Sequence, residues 1–180
     1  MKKLISALCI LLFSVSAFSQ IGTNIPNVSL GNSKWTFGGY AGLGGAFGGS
    51  GGTSIYLTPR VGYKVDESFE LGLATNFTWS TSKYYSATNI GIGPFMNYYF
   101  GRNIYINGTF QEYFVNQKDK INNTTFSTNE AALYLGGGYM QKLGEHVYMQ
   151  IGGMYNVLYK ADKSVFGGGF VPNIGIVYGL

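Results

Sequence analysis

The chain has 180 residues, of which 46% are hydrophobic, 17% aromatic and only 11% charged. Soluble domains carry roughly 25% charged residues, so this composition argues against a water-exposed surface. The formal charge of +4 falls by two, to +2, when Lys2 and Lys3 depart with the leader described next; that leaves no electrostatic case for nucleic acid.

Met1-Lys2-Lys3 is a short basic start, and Leu4 to Val15 is an apolar run shorter than the about 20 residues of a spanning helix. Ala17 and Ser19 place small residues where a signal peptidase reads, so residues 1–19 are expected to be a cleaved secretory signal. Residues 20–33 then form a periplasmic N-terminal segment, and 34–180 a single domain. Cys9 is the only cysteine. It lies in the leader behind Leu8, where a lipoprotein signal needs a smaller side chain, so the mature chain has no thiol chemistry.

From Trp35 onward the residues alternate. Phe69, Leu71, Leu73, Phe77 and Trp79 interleave with Glu70, Gly72, Ala74, Asn76 and Ser80; Ile90, Ile92, Met96 and Tyr98 interleave with Asn89, Gly91, Phe95 and Asn97. Period two marks strands, because successive side chains point to opposite faces of a pleated sheet. Eight are predicted: Lys34–Phe47, Thr53–Val65, Phe69–Ser80, Ala87–Phe100, Ile104–Val115, Thr128–Leu143, Val147–Tyr159 and Phe166–Leu180. Each is at least as long as the about 9–11 residues that cross hydrocarbon at a tilt. Tight turns at Asp66-Glu67-Ser68, Gly101-Arg102-Asn103 and Gly144-Glu145-His146 alternate with longer loops at Gly48–Gly52, Thr81–Ser86, Asn116–Ser127 and Lys160–Val165. No amphipathic helix is present to cover a second face. A closed sheet, greasy outside and polar inside, satisfies all of this: an all-β, eight-stranded antiparallel up-and-down transmembrane barrel with both termini periplasmic.

Register offers a further test. Three-residue turns oppose Val65 to Phe69, Phe100 to Ile104 and Leu143 to Val147. Tyr63 then meets Leu71, Tyr98 meets Ile106 and Tyr139 meets Ile151 outside, while Lys64 meets Glu70 and Asn97 meets Asn107 inside. A slip of one residue would turn each polar set into lipid. The inward set holds Gly38, Gly42, Gly44, Gly62, Gly72, Gly91, Gly93, Gly136, Gly138, Gly152, Gly169 and Gly175. Between them stand Tyr40, Tyr56, Arg60, Asn76, Phe95, Tyr99, Gln111, Tyr134, Gln150 and Asn156. An eight-stranded lumen has room for side chains and little else.

Three strands share a phrase: Leu57-Thr58-Pro59-Arg60-Val61-Gly62-Tyr63, Gly93-Pro94-Phe95-Met96-Asn97-Tyr98-Tyr99-Phe100 and Phe170-Val171-Pro172-Asn173-Ile174-Gly175-Ile176. The phrase resembles the small outer-membrane β-barrel family of the Bacteroidetes, related in architecture to the OmpX and OmpA membrane domains. The terminal Asn173-x-Gly175-Ile176-x-Tyr178-x-Leu180 is similar to the signal that barrel-assembly machinery recognises, with Leu180 in place of the commoner phenylalanine. The resemblance spans nearly the whole mature chain and implies fold and location, but hardly any activity. Pro59, Pro94 and Pro172 each delete a ladder donor, and a bulge is expected at each.

Candidate sites are sparse. His146 is the only histidine and falls in a tight turn, whereas lipid A-modifying barrels use a histidine near the outer surface. Clustered metal ligands are lacking, and the glycine-rich run from Gly38 to Gly52 lacks the lysine and helix start of a phosphate loop. Lys64 and Glu70 are expected to form a lumen ion pair. Trp35, Tyr63, Trp79, Tyr98, Tyr99, Tyr139, Tyr148, Tyr155 and Tyr159 read as interfacial girdle or lumen packing; sugar stacking is the alternative. No catalytic, cofactor-binding or metal residues and no cofactor are assigned. The expected partners are outer-membrane lipid and lipopolysaccharide, the barrel-assembly machinery through the C-terminal strand, and an unidentified extracellular ligand at the loops, with the protein a monomer. The expected role is structural or cell-surface interaction at the outer membrane, centred on Asn116–Ser127. A narrow channel or solute carrier is the alternative; a soluble lipocalin-type barrel conflicts with the apolar outside.

Overall fold

The computed structural model describes residues 34–46, 52–101 and 103–180. The expected signal (1–19), the N-terminal segment (20–33), most of the Gly48–Gly52 loop, Arg102 and the inward placement of Gly44 lie outside the described residues. The described chain is a closed barrel of eight strands in sequence order. They are β1 (Trp35–Ala46), β2 (Gly52–Lys64), β3 (Phe69–Thr81), β4 (Tyr85–Phe100), β5 (Ile104–Asp119), β6 (Thr125–Lys142), β7 (Val147–Asn156) and β8 (Phe170–Tyr178). Neighbouring strands run antiparallel all the way round, and β8 closes onto β1.

Alternation in the sequence becomes alternation in space. Along β4, Asn89, Phe95, Asn97 and Tyr99 are buried, while Ile90, Ile92, Met96, Tyr98 and Phe100 are exposed on the outside. The three hairpin registers hold. Tyr63 pairs with Leu71 and Lys64 with Glu70; Tyr98 pairs with Ile106 and Asn97 with Asn107; Tyr139 pairs with Ile151. Local chemistry sets the first turn, where the Asp66 carboxylate accepts from the Ser68 and Phe69 amides at 2.7 and 2.8 Å. A short acidic side chain that satisfies the backbone two and three residues on is a turn former.

The prolines are accommodated without bulges. β2 keeps one register with β3 from Thr53–Thr81 to Lys64–Glu70, and pairing merely lapses at Thr58 and Pro59. On the other side Pro59 stays in register with Gly39. Pro94 likewise faces Leu73 while the β4–β5 ladder lapses beside it. Pro172 faces Gly153, and the β8–β1 ladder stops short of it at Ile174. An antiparallel residue bonds to one neighbour only, so a missing donor weakens one ladder and leaves register to its flanks.

The outer ends also differ from expectation. β5 and β6 run on through Asn116–Ser127, with Asn116 opposite Ser127 and Lys118 opposite Thr125. Above an apolar belt neither face needs greasy side chains, so the period-two signal fades while the pairing continues. β3 and β4 similarly pair to Thr81 and Ser86, where Ser82 Oγ accepts from the Tyr84 and Tyr85 amides. β7 ends at Asn156, three residues early, because its Oδ1 accepts from the Leu133 and Leu158 amides and turns the chain. β8 begins only at Phe170, since Gly167, Gly168 and Gly169 offer no side chains to a strand. Among the described connections the long one is therefore residues 157–169.

Closure rests on a short seam. β1 and β8 pair over Phe37–Ala41 and Ile174–Tyr178 alone. Tyr56 reaches across it from β2 and donates its hydroxyl to the Pro172 carbonyl. Gly42 makes this contact feasible: a Cβ there would lie 2.3 Å from the Tyr56 hydroxyl.

Candidate functional site

The lumen is the first place to look for chemistry, because the expected inward residues converge there. Tyr40, Tyr56, Arg60, Asn76, Phe95, Tyr99, Gln111, Tyr134, Gln150 and Asn156 are all buried. The centre of the network is Glu70, which is 0% exposed. Its carboxylate accepts from the Thr36 hydroxyl, from Asn97 Nδ2 at 2.7 Å and from the Tyr99 hydroxyl. Its charge is balanced by Arg60, whose Nη1 lies 3.4 Å away. The guanidinium in turn sits 4.8 Å from the Phe95 ring centre and 5.4 Å from that of Tyr40. Gly62 clears the space, since a Cβ there would come within 2.1 Å of Glu70 Oε1.

This corrects the Lys64–Glu70 ion pair. The two residues are register neighbours, but Lys64 closes β2 at the turn rim and stays partly exposed. A lysine ammonium at the rim keeps its hydration, whereas Arg60 is buried beside Glu70 and can pair only inside. Register in the sequence identifies lateral neighbours. Arg60 reaches Glu70 diagonally, from four positions further along the same β2–β3 ladder, a reach that direct pairing does not announce.

Further bonds brace the lumen between strands that share no ladder. Tyr40 on β1 donates to Gln150 Oε1 on β7 at 2.7 Å, and Asn173 Nδ2 on β8 donates to Tyr105 on β5 at 3.3 Å. Towards the loop end, Tyr113, Val115, Ala132 and Tyr134 form a buried cluster. Val165 and Phe166 of the 157–169 loop pack against it, with the Phe166 ring 4.9 Å from Tyr113. That loop is pinned by Glu130, which accepts from Ser164 Oγ and the Val165 amide at 2.5 and 2.8 Å. The arrangement is suited to bracing: its carboxylate and guanidinium neutralise each other, and its hydroxyls point at fixed acceptors.

The aromatic residues divide between the two expected roles. Trp35, Tyr63, Tyr98 and Tyr139 project outward near the turn end, and Trp79 and Tyr155 project outward near the loop end. Tyr99 and Tyr148 pack inside, while Tyr159 lies in the 157–169 loop. His146 sits in its expected turn, with its carbonyl accepting from the Gly179 amide at 2.8 Å. Among the described residues no group of three or more histidine, cysteine, aspartate or glutamate side chains could hold a metal.

Two features escaped the sequence reading. Glu112 falls on the outward face of β5 between exposed Phe110 and Phe114, opposite Ile92 and Ala131. Parity alone assigns it there, and it interrupts an otherwise apolar row. The other is a cleft of about 260 Å³ at the loop end between β6 and the 157–169 loop. No sequence pattern announces it, because its two walls meet only in the folded barrel.

No family model matches this chain, and no curated protein does either. Among solved structures the chain is similar to Neisserial surface protein A (NspA), with 13% identity over 81% of this chain and 95% of that one and a TM-score of 0.48. It is also similar to the translocator domain of autotransporter NalP from Neisseria meningitidis, with 10% identity over 81% and 86% of the two chains and a TM-score of 0.33.

Proposed function

We propose that this protein is an integral outer-membrane β-barrel with a structural or cell-surface interaction role and no catalytic activity, belonging with the small Bacteroidetes-type barrels that its proline-centred phrase resembles. The observation that carries the reading is the barrel's inside-out polarity. Leu43, Leu57, Leu73, Ile92, Met96, Phe114 and Ile174 face outward and exposed around the wall, while Glu70, Asn97, Gln150 and Asn173 are buried within. Water would penalise that exterior by about 25 cal/mol per Å² of apolar surface, and hydrocarbon would not. Closure leaves no unpaired sheet edge through the belt apart from the upper β1–β8 seam, as lipid demands of a spanning structure. The tight turns then lie in the periplasm and the 157–169 loop with the β5–β6 hairpin lies outside, which makes the loop end the interaction surface.

Fractionation of cells expressing the full chain tests this. The protein should stay in the outer-membrane fraction through alkaline and high-salt washes. Recovery of the mature chain from the soluble fraction would overturn the membrane reading.

A further inference from the structure

On the side away from β5, the outer end of β6 is a sheet edge to which no described residue pairs. β6 meets β7 from Tyr134–Asn156 downward; the last contacts above are the Val157 amide on the Leu133 carbonyl at 2.8 Å and the Leu133 amide on Asn156 Oδ1. Leu133 therefore directs both backbone groups away from β5. By the two-residue repeat, Ala131, Asn129 and Ser127 do the same. Beyond them the 157–169 loop leaves the β6 backbone and returns only to the Glu130 side chain, and the cleft of about 260 Å³ lies between it and Thr128–Ala131.

Natural sheets blunt such edges with lysine, proline or a bulge. Thr125-Phe126-Ser127-Thr128-Asn129 has neither charge nor proline, and its pairing with β5 keeps a single register. Phe126 is 61% exposed on this stretch. The opposite wall carries Lys160 and Lys163, while Glu130, the one acid lining the cleft, is already held by Ser164 and the Val165 amide. Asp162 shares the lysine turn but does not line the cleft.

We propose that this edge and cleft bind an extended acidic peptide segment of an extracellular protein, which adds as a strand beside β6. The inference rests on the surface-interaction reading above and names its partner. Strand addition supplies affinity through main-chain bonds and selectivity through alternate side chains. Here the edge offers as many carbonyl acceptors as amide donors, a pattern that a peptide matches and a lipid phosphate, an acceptor only, does not. The two lysines select a carboxylate-bearing segment. A second copy of the barrel fits less well, because each copy brings its own lysine turn to the edge.

The test uses the full chain folded in detergent micelles. The probe is a fluorescein-labelled octapeptide of alternating threonine and valine with one central glutamate, followed by fluorescence anisotropy. Saturable binding is expected, weakened about tenfold by Asn129→Pro, which removes an edge donor while sparing the β5 ladder. The pair Lys160→Ala and Lys163→Ala should weaken it about threefold, and a glutamine-substituted peptide should be indifferent to that pair. Ser127→Pro repeats the edge test if circular dichroism shows Asn129→Pro misfolded. Binding that survives both proline variants, or no saturable binding, overturns the proposal. So does lysine-dependent binding of lipopolysaccharide micelles without peptide binding, or a dimer abolished by Asn129→Pro in a protein that ignores the peptide. Labelling of Ser127→Cys on intact cells with a membrane-impermeant maleimide reads surface location separately. Absent labelling with intact peptide binding defeats the location, and lost peptide binding with intact labelling defeats only the docking.

Discussion

Leu73 and Asn76 lie three residues apart on β3 and face opposite worlds. Leu73 is 61% exposed on the outer wall, whereas Asn76 is buried and donates to Thr58 Oγ1 at 2.8 Å. Leu73→Arg should destabilise the barrel by about 2–4 kcal/mol through the cost of an arginine near mid-bilayer. Asn76→Ser keeps a polar group in the lumen and should cost about 1–2 kcal/mol, the net worth of its bonds to Thr58 and Thr78. Equal effects in a urea titration of the micelle-folded protein would contradict the register. The Arg60–Glu70 pair is asymmetric in a different way. Arg60→Ala strands a carboxylate that is wholly enclosed, at about 3–5 kcal/mol, while the double change Arg60→Met with Glu70→Gln should recover most of that loss. The same titration checks it, and a double variant no more stable than Arg60→Ala would contradict the ion-pair account.

At the scale of elements, the tip of the β5–β6 hairpin stands above the belt, paired with β4 and tied through Lys120 Nζ to Thr81 Oγ1 and the Ser82 carbonyl at 2.9 and 2.7 Å. Replacing residues 118–125 with a two-residue Asn-Gly turn, flanked by the pair Gln117–Phe126, should leave barrel folding unchanged, because an I′ turn closes a hairpin and shortening a loop changes closure entropy little. Loss of the folded species in circular dichroism would show that the hairpin nucleates the sheet. The hairpin tip carries its own pH response. The Asp119 carboxylate accepts from the Ile121 and Asn122 amides at 2.7 and 3.3 Å and from Asn122 Nδ2 at 2.8 Å, which holds its pKa below the usual carboxylate value. A depressed carboxylate stabilises only while ionised. Its contribution is complete above about pH 4, the ordinary carboxylate range, and disappears as pH falls through the lower folded value. Amide exchange at Ile121 should therefore quicken relative to the belt only under acid. An unchanged ratio down to pH 2 would contradict the turn assignment.

For the whole molecule the question is whether the bore conducts. Tyr105, Gln150 and Glu70 are each 0% exposed, and the Tyr40–Gln150 and Tyr105–Asn173 bonds connect strands far apart in the chain. Phe166 and Val165 fold over the loop end. A planar bilayer containing the purified monomer should stay at baseline current, since an eight-stranded lumen filled with side chains leaves no continuous aqueous section. Discrete conductance steps would promote the channel reading over the surface role.

Period two, turn length and the parity of facing residues were enough, by themselves, to determine eight strands, their order of pairing, three hairpin registers and which side chains line the lumen. These are local or nearest-neighbour properties: Tyr63 meets Leu71 because three residues separate their strands, whatever happens on the far side of the barrel. Tertiary structure decided what closure decides. It chose Arg60 over Lys64 as the partner of Glu70, because Arg60, four positions along the same β2–β3 ladder, is buried in the bore while Lys64 sits partly exposed at its rim. It absorbed Pro59, Pro94 and Pro172 by lapses in one ladder each, which depends on the neighbour that a given residue bonds. It extended β5 and β6 through Asn116–Ser127, where polar faces silence the alternation that sequence patterns rely on. And it placed Lys160 and Lys163 opposite an edge of β6 some thirty residues earlier in the chain, a contact between elements that no spacing within either one could encode.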